Sequence, residues 1–151
     1  MIKLLQLIKT IFICFLLILN LNCYAAASEY FEKGKTLFNE KKFDKSKILF
    51  ERDLVFNPKS EKSYLYLEKI FELNKNDKEQ EINLNSLLLL NQKNDEAIYM
   101  LTLLKIKKSD YNEAKSLIEK FKIVCKNFCK KKDELEKKFE KIIPVDAKDN
   151  S

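Results

Sequence analysis

Apolar and polar positions divide the chain into three regimes. From Ile11 to Leu21 apolar residues run together, interrupted only by Asn20. From Tyr30 onward they recur three and four residues apart, the spacing of a helix with one buried face. Tyr30, Phe31, Gly34, Leu37 and Phe38 share one such face. Phe43, Ile48, Leu49, Phe50, Leu54 and Val55 make the next. Asn57-Pro58 closes that second helix, because the residue before proline avoids the helical region. Asn74 to Asp77 reads as a turn. Asp77 with Gln80, and Asp110 with Glu113, have the spacing of a capping box. Ser60 is placed to cap the helix carrying Tyr64, Leu67 and Phe71. These signals predict helices over 28–40, 43–56, 61–73, 78–91, 95–107 and 111–125. Leu87 to Leu90 are expected to be packing. A seventh helix is predicted over 130–143, with Leu135, Phe139, Ile142 and Ile143 on one face and Pro144 as its stop. Residues 144–151 are polar and expected to be a disordered tail. One Gly and two Pro in 151 residues fit long helices with short connections, so the fold class is all-α.

The first stretch differs from the rest in charge as well as apolarity. Residues 1–27 contain Lys3 and Lys9 and no acid. The apolar run suits the core of a secretory signal and is shorter than the roughly 20 residues of a membrane span. Ala25-Ala26-Ala27 supplies a small-residue cleavage pattern before Ser28. Residues 1–27 are therefore expected to be a signal peptide cut between Ala27 and Ser28. The chain would be exported, with the periplasm as its destination. The other reading is an uncleaved segment that anchors the same domain to a membrane. Cys23 follows Asn20-Leu21-Asn22, a poor setting for a lipidated cysteine, so the alanine triplet is the better site.

Removing Lys3 and Lys9 lowers the formal charge of +6 by two. Arg52 is the only arginine, and acids are interleaved with the lysines throughout. That pattern is a solvated helix surface and excludes a nucleic-acid site, which clusters Arg and Lys with little acid between them. Residues 122–141 hold eight Lys and four acids. They read as a solvated face, with contact to an anionic membrane as the weaker alternative.

The chain has no His, which removes the commonest general base and zinc ligand together. A single Gly rules out a phosphate-cradling loop. No catalytic residue, metal site or cofactor is expected, and the chain is not read as an enzyme. Cys125 and Cys129 would be the two thiols left after the signal departs with Cys14 and Cys23. Export predicts that they form a disulfide, with Lys126-Asn127-Phe128 as a bend rather than regular helix. Reduced core cysteines and a thiol-redox role are the other readings.

Residues 28–59 also open a repeat. Counting from Ala27, Tyr30, Gly34, Leu37, Ser46, Phe50 and Pro58 fall at the fourth, eighth, eleventh, twentieth, twenty-fourth and thirty-second places. These are the signature places of the 34-residue tetratricopeptide repeat, which this segment resembles. A 34-residue step carries Tyr30 to Tyr64 and Ile98, Ser46 to Gln80 and Ala114, and Phe50 to Leu84 and Ile118. The middle repeat departs from the pattern at Glu68, Gln80 and Gln92, and the third at Lys105.

The resemblance spans residue 27 to about 126. It implies antiparallel helix hairpins stacked as a short α-solenoid of about three repeats, sealed by the C-terminal helix over a domain of 28–143. It also implies a partner-binding groove on the first helix of each repeat. The matching residues are Phe31, Lys35, Phe38 and Asn39, then Leu65, Lys69, Glu72 and Leu73, then Tyr99, Leu103, Ile106 and Lys107. Phe31, Tyr66, Glu96 and Met100 occupy the places where the family's carboxylate-clamp members hold a peptide terminus, and Lys35 replaces an Asn. An apolar or amphipathic helix is therefore the better expected ligand. The expected function is an exported adaptor or scaffold for another envelope protein. A self-associating structural module, a homo-oligomer, or a small thiol-redox protein are the alternatives.

Overall fold

The structure is a computed structural model describing residues 2–142. Within its first helix, side chains are described at 6–9, 11–14 and from 29 onward. Helices follow one another throughout: α1 Ile2–Asn39, α2 Phe43–Phe56, α3 Glu61–Leu73, α4 Asp77–Leu90, α5 Asp95–Lys107, α6 Tyr111–Val124 and α7 Lys132–Glu140, with a 3-10 turn at Cys129–Lys131 before the last. No strand occurs among the described residues.

The 34-residue step is written into the backbone. Lys41, Lys75 and Ser109 are the non-glycine residues at positive φ, at 59°, 53° and 59°. Each sits just past the first helix of a repeat. In each case the following residue's N–H reaches five residues back, Lys42 to Leu37, Asn76 to Phe71 and Asp110 to Lys105, each at 2.9 Å. Lys41, Lys75 and Ser109 themselves donate to Phe38, Glu72 and Ile106. This paired closure is the Schellman ending, which satisfies carbonyls that the helix leaves open. Side-chain caps follow the same step imperfectly. Asn76 and Asp110 accept from Glu79 and Glu113, whereas Lys42 has no acceptor to offer.

Four expectations change. The first helix begins at Ile2, not residue 28, and runs unbroken past Ala27 and Ser28. The cap of α4 is Asn76 rather than Asp77, so α4 starts one residue earlier than expected. The seventh helix is shorter, because Cys129–Lys131 winds as a 3-10 turn; Leu135 and Phe139 are buried but Ile142 lies in a turn, 44% exposed. In the Leu87–Leu90 run Leu87 is buried while Leu89 is 83% exposed, since four successive residues circle the helix. Ile143 and the tail at 144–151 lie outside the described residues.

The chain divides into two units, 1–66 and 67–151. In the first, α1 and α2 pack around aromatic rings. Phe50 is fully buried and stacks on Tyr66 at 4.9 Å, and Phe31 and Phe38 meet Tyr66 edge-on at 5.7 and 5.1 Å. Gly34 has a steric reason: a Cβ there would lie 2.9 Å from the Phe50 ring. Beside it the Ser46 hydroxyl donates to the Gly34 carbonyl at 2.8 Å. Buried Asp53 accepts from the Ser63 hydroxyl.

In the second unit Leu84, Leu87, Ala97, Ile98, Ala114, Phe121 and Leu135 form a fully buried core. Lys105, the wrong residue for a bulky repeat position, is buried within a cage of acids. Its ammonium lies 2.6 Å from Glu81, 2.5 Å from Glu113 and 3.6 Å from Asp110. Burial alone would lower its pKa, but the hydrogen bonds to Glu113 and Glu81 more than reverse that and hold it charged. Cys125 and Cys129 lie at disulfide distance, their Cα atoms 5.2 Å apart. The bend between them is held from α5, where Asp95 Oδ2 accepts the backbone N–H groups of Lys126, Asn127 and Phe128 at 2.7, 2.6 and 3.0 Å.

Candidate binding cavity

The second unit carries a cavity of about 550 Å³, within the size range of ligand sites. The helix α3 contributes Glu68 and Glu72, α4 contributes Gln80, α5 contributes its Tyr99-to-Lys107 face, and Lys138 and Ile142 come from α7 and the turn after it. These α3 and α5 residues converge because each helix repeats its pattern every three to four residues, so that Glu68 and Glu72, or Met100, Leu103 and Lys107, rise on one side.

Glu68 and Gln80 replace the small residues that the repeat places there, and they satisfy each other in part. Gln80 Nε2 donates to Glu68 Oε1 at 2.7 Å. Glu68 is fully buried, yet its Oε2 has no hydrogen-bond partner. Burial pushes its carboxyl up to about 7; the Gln80 hydrogen bond opposes the rise and the Glu72 charge adds to it. The lysines at the cavity already have counter-ions. Lys107 Nζ meets Asp77 at 2.6 Å and Lys138 Nζ meets Glu134 at 3.1 Å. The Tyr99 hydroxyl donates to Glu134 at 3.2 Å, and burial, then the Glu134 charge, raises the phenol's pKa.

Five of the twelve residues expected in the groove line this cavity: Glu72, Tyr99, Leu103, Ile106 and Lys107. Tyr99 and Ile106 are nevertheless buried, at 8% and 6% exposure, so they form its wall more than an open surface. Lys69 and Leu73 lie outside it. Lys69 pairs with Glu96 at 3.1 Å, and Leu73 is 55% exposed. In the first unit Lys35 and Asn39 are exposed. Phe31 and Phe38 are half-buried and built into the aromatic cluster. Leu65 borders a shallow hollow of about 580 Å³ with Asn57 and Lys62. The groove expectation omits Glu68 and Gln80. Their departure from the repeat pattern was the signal available for them.

No group of side chains that could hold a metal ion is gathered among the described residues. No helix there is long and apolar enough to cross a membrane.

No protein-family profile matches the chain, and no curated protein matches it in sequence. Solved structures do match in shape. The Arabidopsis OM64 tetratricopeptide-repeat domain aligns with a TM-score of 0.71 at 18% identity, covering 80% of this chain and 99% of that one. The first tetratricopeptide-repeat domain of Spaghetti (RPAP3), bound to the HSP90 peptide SRMEEVD, aligns at 0.68 and 19% identity, covering 78% and 93%. SycD, the type III secretion translocator chaperone of Yersinia enterocolitica, aligns at 0.67 and 11% identity, covering 79% and 91%. The 34-residue step in sequence, the Schellman endings repeated at that step and these shared shapes lead to one conclusion: the chain has the tetratricopeptide-repeat fold.

Proposed function

We propose that this protein is an exported adaptor that binds another envelope protein, taking an apolar or amphipathic segment of it against the α5 face of the second unit. The observation that carries this reading is the cavity, where Met100 and Leu103 stand half-exposed beside polar groups that could orient a ligand. The likeness to a domain holding an HSP90 peptide supports a protein ligand. The missing histidine and phosphate loop argue against catalysis.

Export is supported by the leader itself. Leu7, Ile8, Ile11, Phe12 and Ile13 are each more than half exposed, an apolar surface that a folded domain does not ordinarily leave in water. Affinity capture from envelope extract tests the adaptor. Leu103→Asp should lose the captured protein, while Ile123→Asp, at a position 84% exposed and outside the cavity, should keep it. Equal capture by both variants would remove the cavity as the binding surface.

A further inference from the structure

We infer that the cavity is a subsite for a basic side chain of the partner, an arginine or lysine whose cationic head meets Glu68 and whose aliphatic stem lies along Tyr99, Met100 and Leu103. This subsite rests on the adaptor reading and gives the ligand a charge.

Glu68 is the reason. A buried carboxylate is costly unless it is hydrogen-bonded and paired. Glu68 is fully buried at the cavity wall, with one oxygen served by Gln80 and the other by nothing. Lys107 and Lys138 at the cavity pair with Asp77 and Glu134, and Lys69 pairs with Glu96 while its charge also acts on Glu68 and only partly offsets the effect of burial. Glu72, one turn along α3, places a second carboxylate at the same cavity. Glu68 Oε2 thus stays at the cavity wall without a hydrogen-bond partner, with the Glu72 carboxylate lining the same cavity. The walls between are apolar or aromatic. A long side chain with a methylene stem and a charged tip matches that order of surfaces, and a guanidinium can also lie on the Tyr99 ring. A purely apolar side chain would leave Oε2 unserved. An acidic one would meet Glu68 and Glu72 with like charge.

The probe is pentylguanidinium, titrated into the full chain while the Met100 methyl resonance is followed by NMR. At pH 8 a saturable shift is expected. Glu68→Gln should weaken it by at least about tenfold, the loss of one charge-assisted contact. Hexanamide, with the same stem and no charge, should bind as weakly to wild type. Wild type itself supplies a test that needs no folded variant. With the Glu68 carboxyl near 7, lowering the pH from 8 to roughly 5.5 should weaken the probe by at least about tenfold, since the guanidinium stays charged.

The other charged groups facing the site are Glu72, Lys69, Glu96, Lys107, Lys138 and the Tyr99 phenol. Glu72→Gln, on the exposed side, should leave the pH dependence in place. Equal binding to wild type and Glu68→Gln, equal binding of hexanamide, or no pH dependence would each overturn the subsite. If Leu103→Asp still abolishes capture of the envelope partner in that event, the adaptor stands and the cationic side chain falls.

Discussion

Glu68 sets the chain's most distinctive residue-scale chemistry, because its charge works against the fold. Its carboxyl is raised from 4.5 to about 7 by burial, so the folded state holds a proton that the unfolded chain releases. Its neutral form is fully compatible with folding below pH 4.5. As the pH climbs from 4.5 to 7, stability should fall by roughly 3 kcal/mol and then level off, because each tenfold change in proton affinity is worth about 1.4 kcal/mol. Glu68→Gln should therefore be more stable than wild type in urea melts at about pH 8 and closer to it at about pH 5. Asp95 has the opposite sign. Burial opposes its charge, but three backbone N–H groups from 126–128 outweigh burial and hold its pKa below the usual 3.8. Its contribution is present above that value and fades as the pH falls below it. Asp95→Asn should cost about 2 kcal/mol near neutral pH by thermal melting, since hydrogen bonds to a charged acceptor are the strong ones. Both residues are in plain view in the sequence. Glu68 stands out there as a misfit at a small-residue position. Asp95 does not, because its partners lie 31 to 33 residues away and no local pattern announces them.

At the scale of the elements, the helices from Phe43 to Val124 are legible in the sequence to within a residue at each end. Periodic apolar faces, Asn57-Pro58 and the Asn-rich turns are local signals. How the helices end is hidden. Lys41, Lys75 and Ser109 take the left-handed conformation that glycine or asparagine usually marks, so nothing in their identity points to a Schellman turn. Each carries strain that glycine would relieve. Lys75→Gly and Ser109→Gly should each stabilise the fold by about 0.5 kcal/mol, the relief being partly offset by the freer unfolded chain. Additive midpoints in chemical denaturation would check it. The same residues as alanine should gain nothing. The Cys125–Cys129 corner is a bend, as its spacing predicts, because residues four apart on a regular helix do not present disulfide geometry. Its short loop limits the worth of the bond. Replacing both cysteines by serine should cost no more than about 2 kcal/mol in the same denaturation series.

For the whole molecule, the repeat period carries most of the information. A 34-residue step reaches Phe50, Leu84 and Ile118, and all three are buried. That is how the fold can be read from a chain with few of the family's signature residues in its middle repeat. The cavity is less legible. A groove position and a core position share the same helical period, and burial depends on neighbours that the period does not specify. Tyr99 and Ile106 turn inward for that reason, while Gln80 reaches the cavity from α4, outside the set of first helices. The proposed export has its own test. Mass spectrometry of the secreted form should show a chain beginning at Ser28, and an intact Met1 would contradict cleavage. The adaptor claim is tested most directly by site-specific photo-crosslinking in producing cells, from position 103 at the cavity and position 123 on the exposed outer face of α6. One discrete envelope-protein adduct is expected from 103 and none from 123. The same adducts from both positions, or none from 103, would contradict the adaptor.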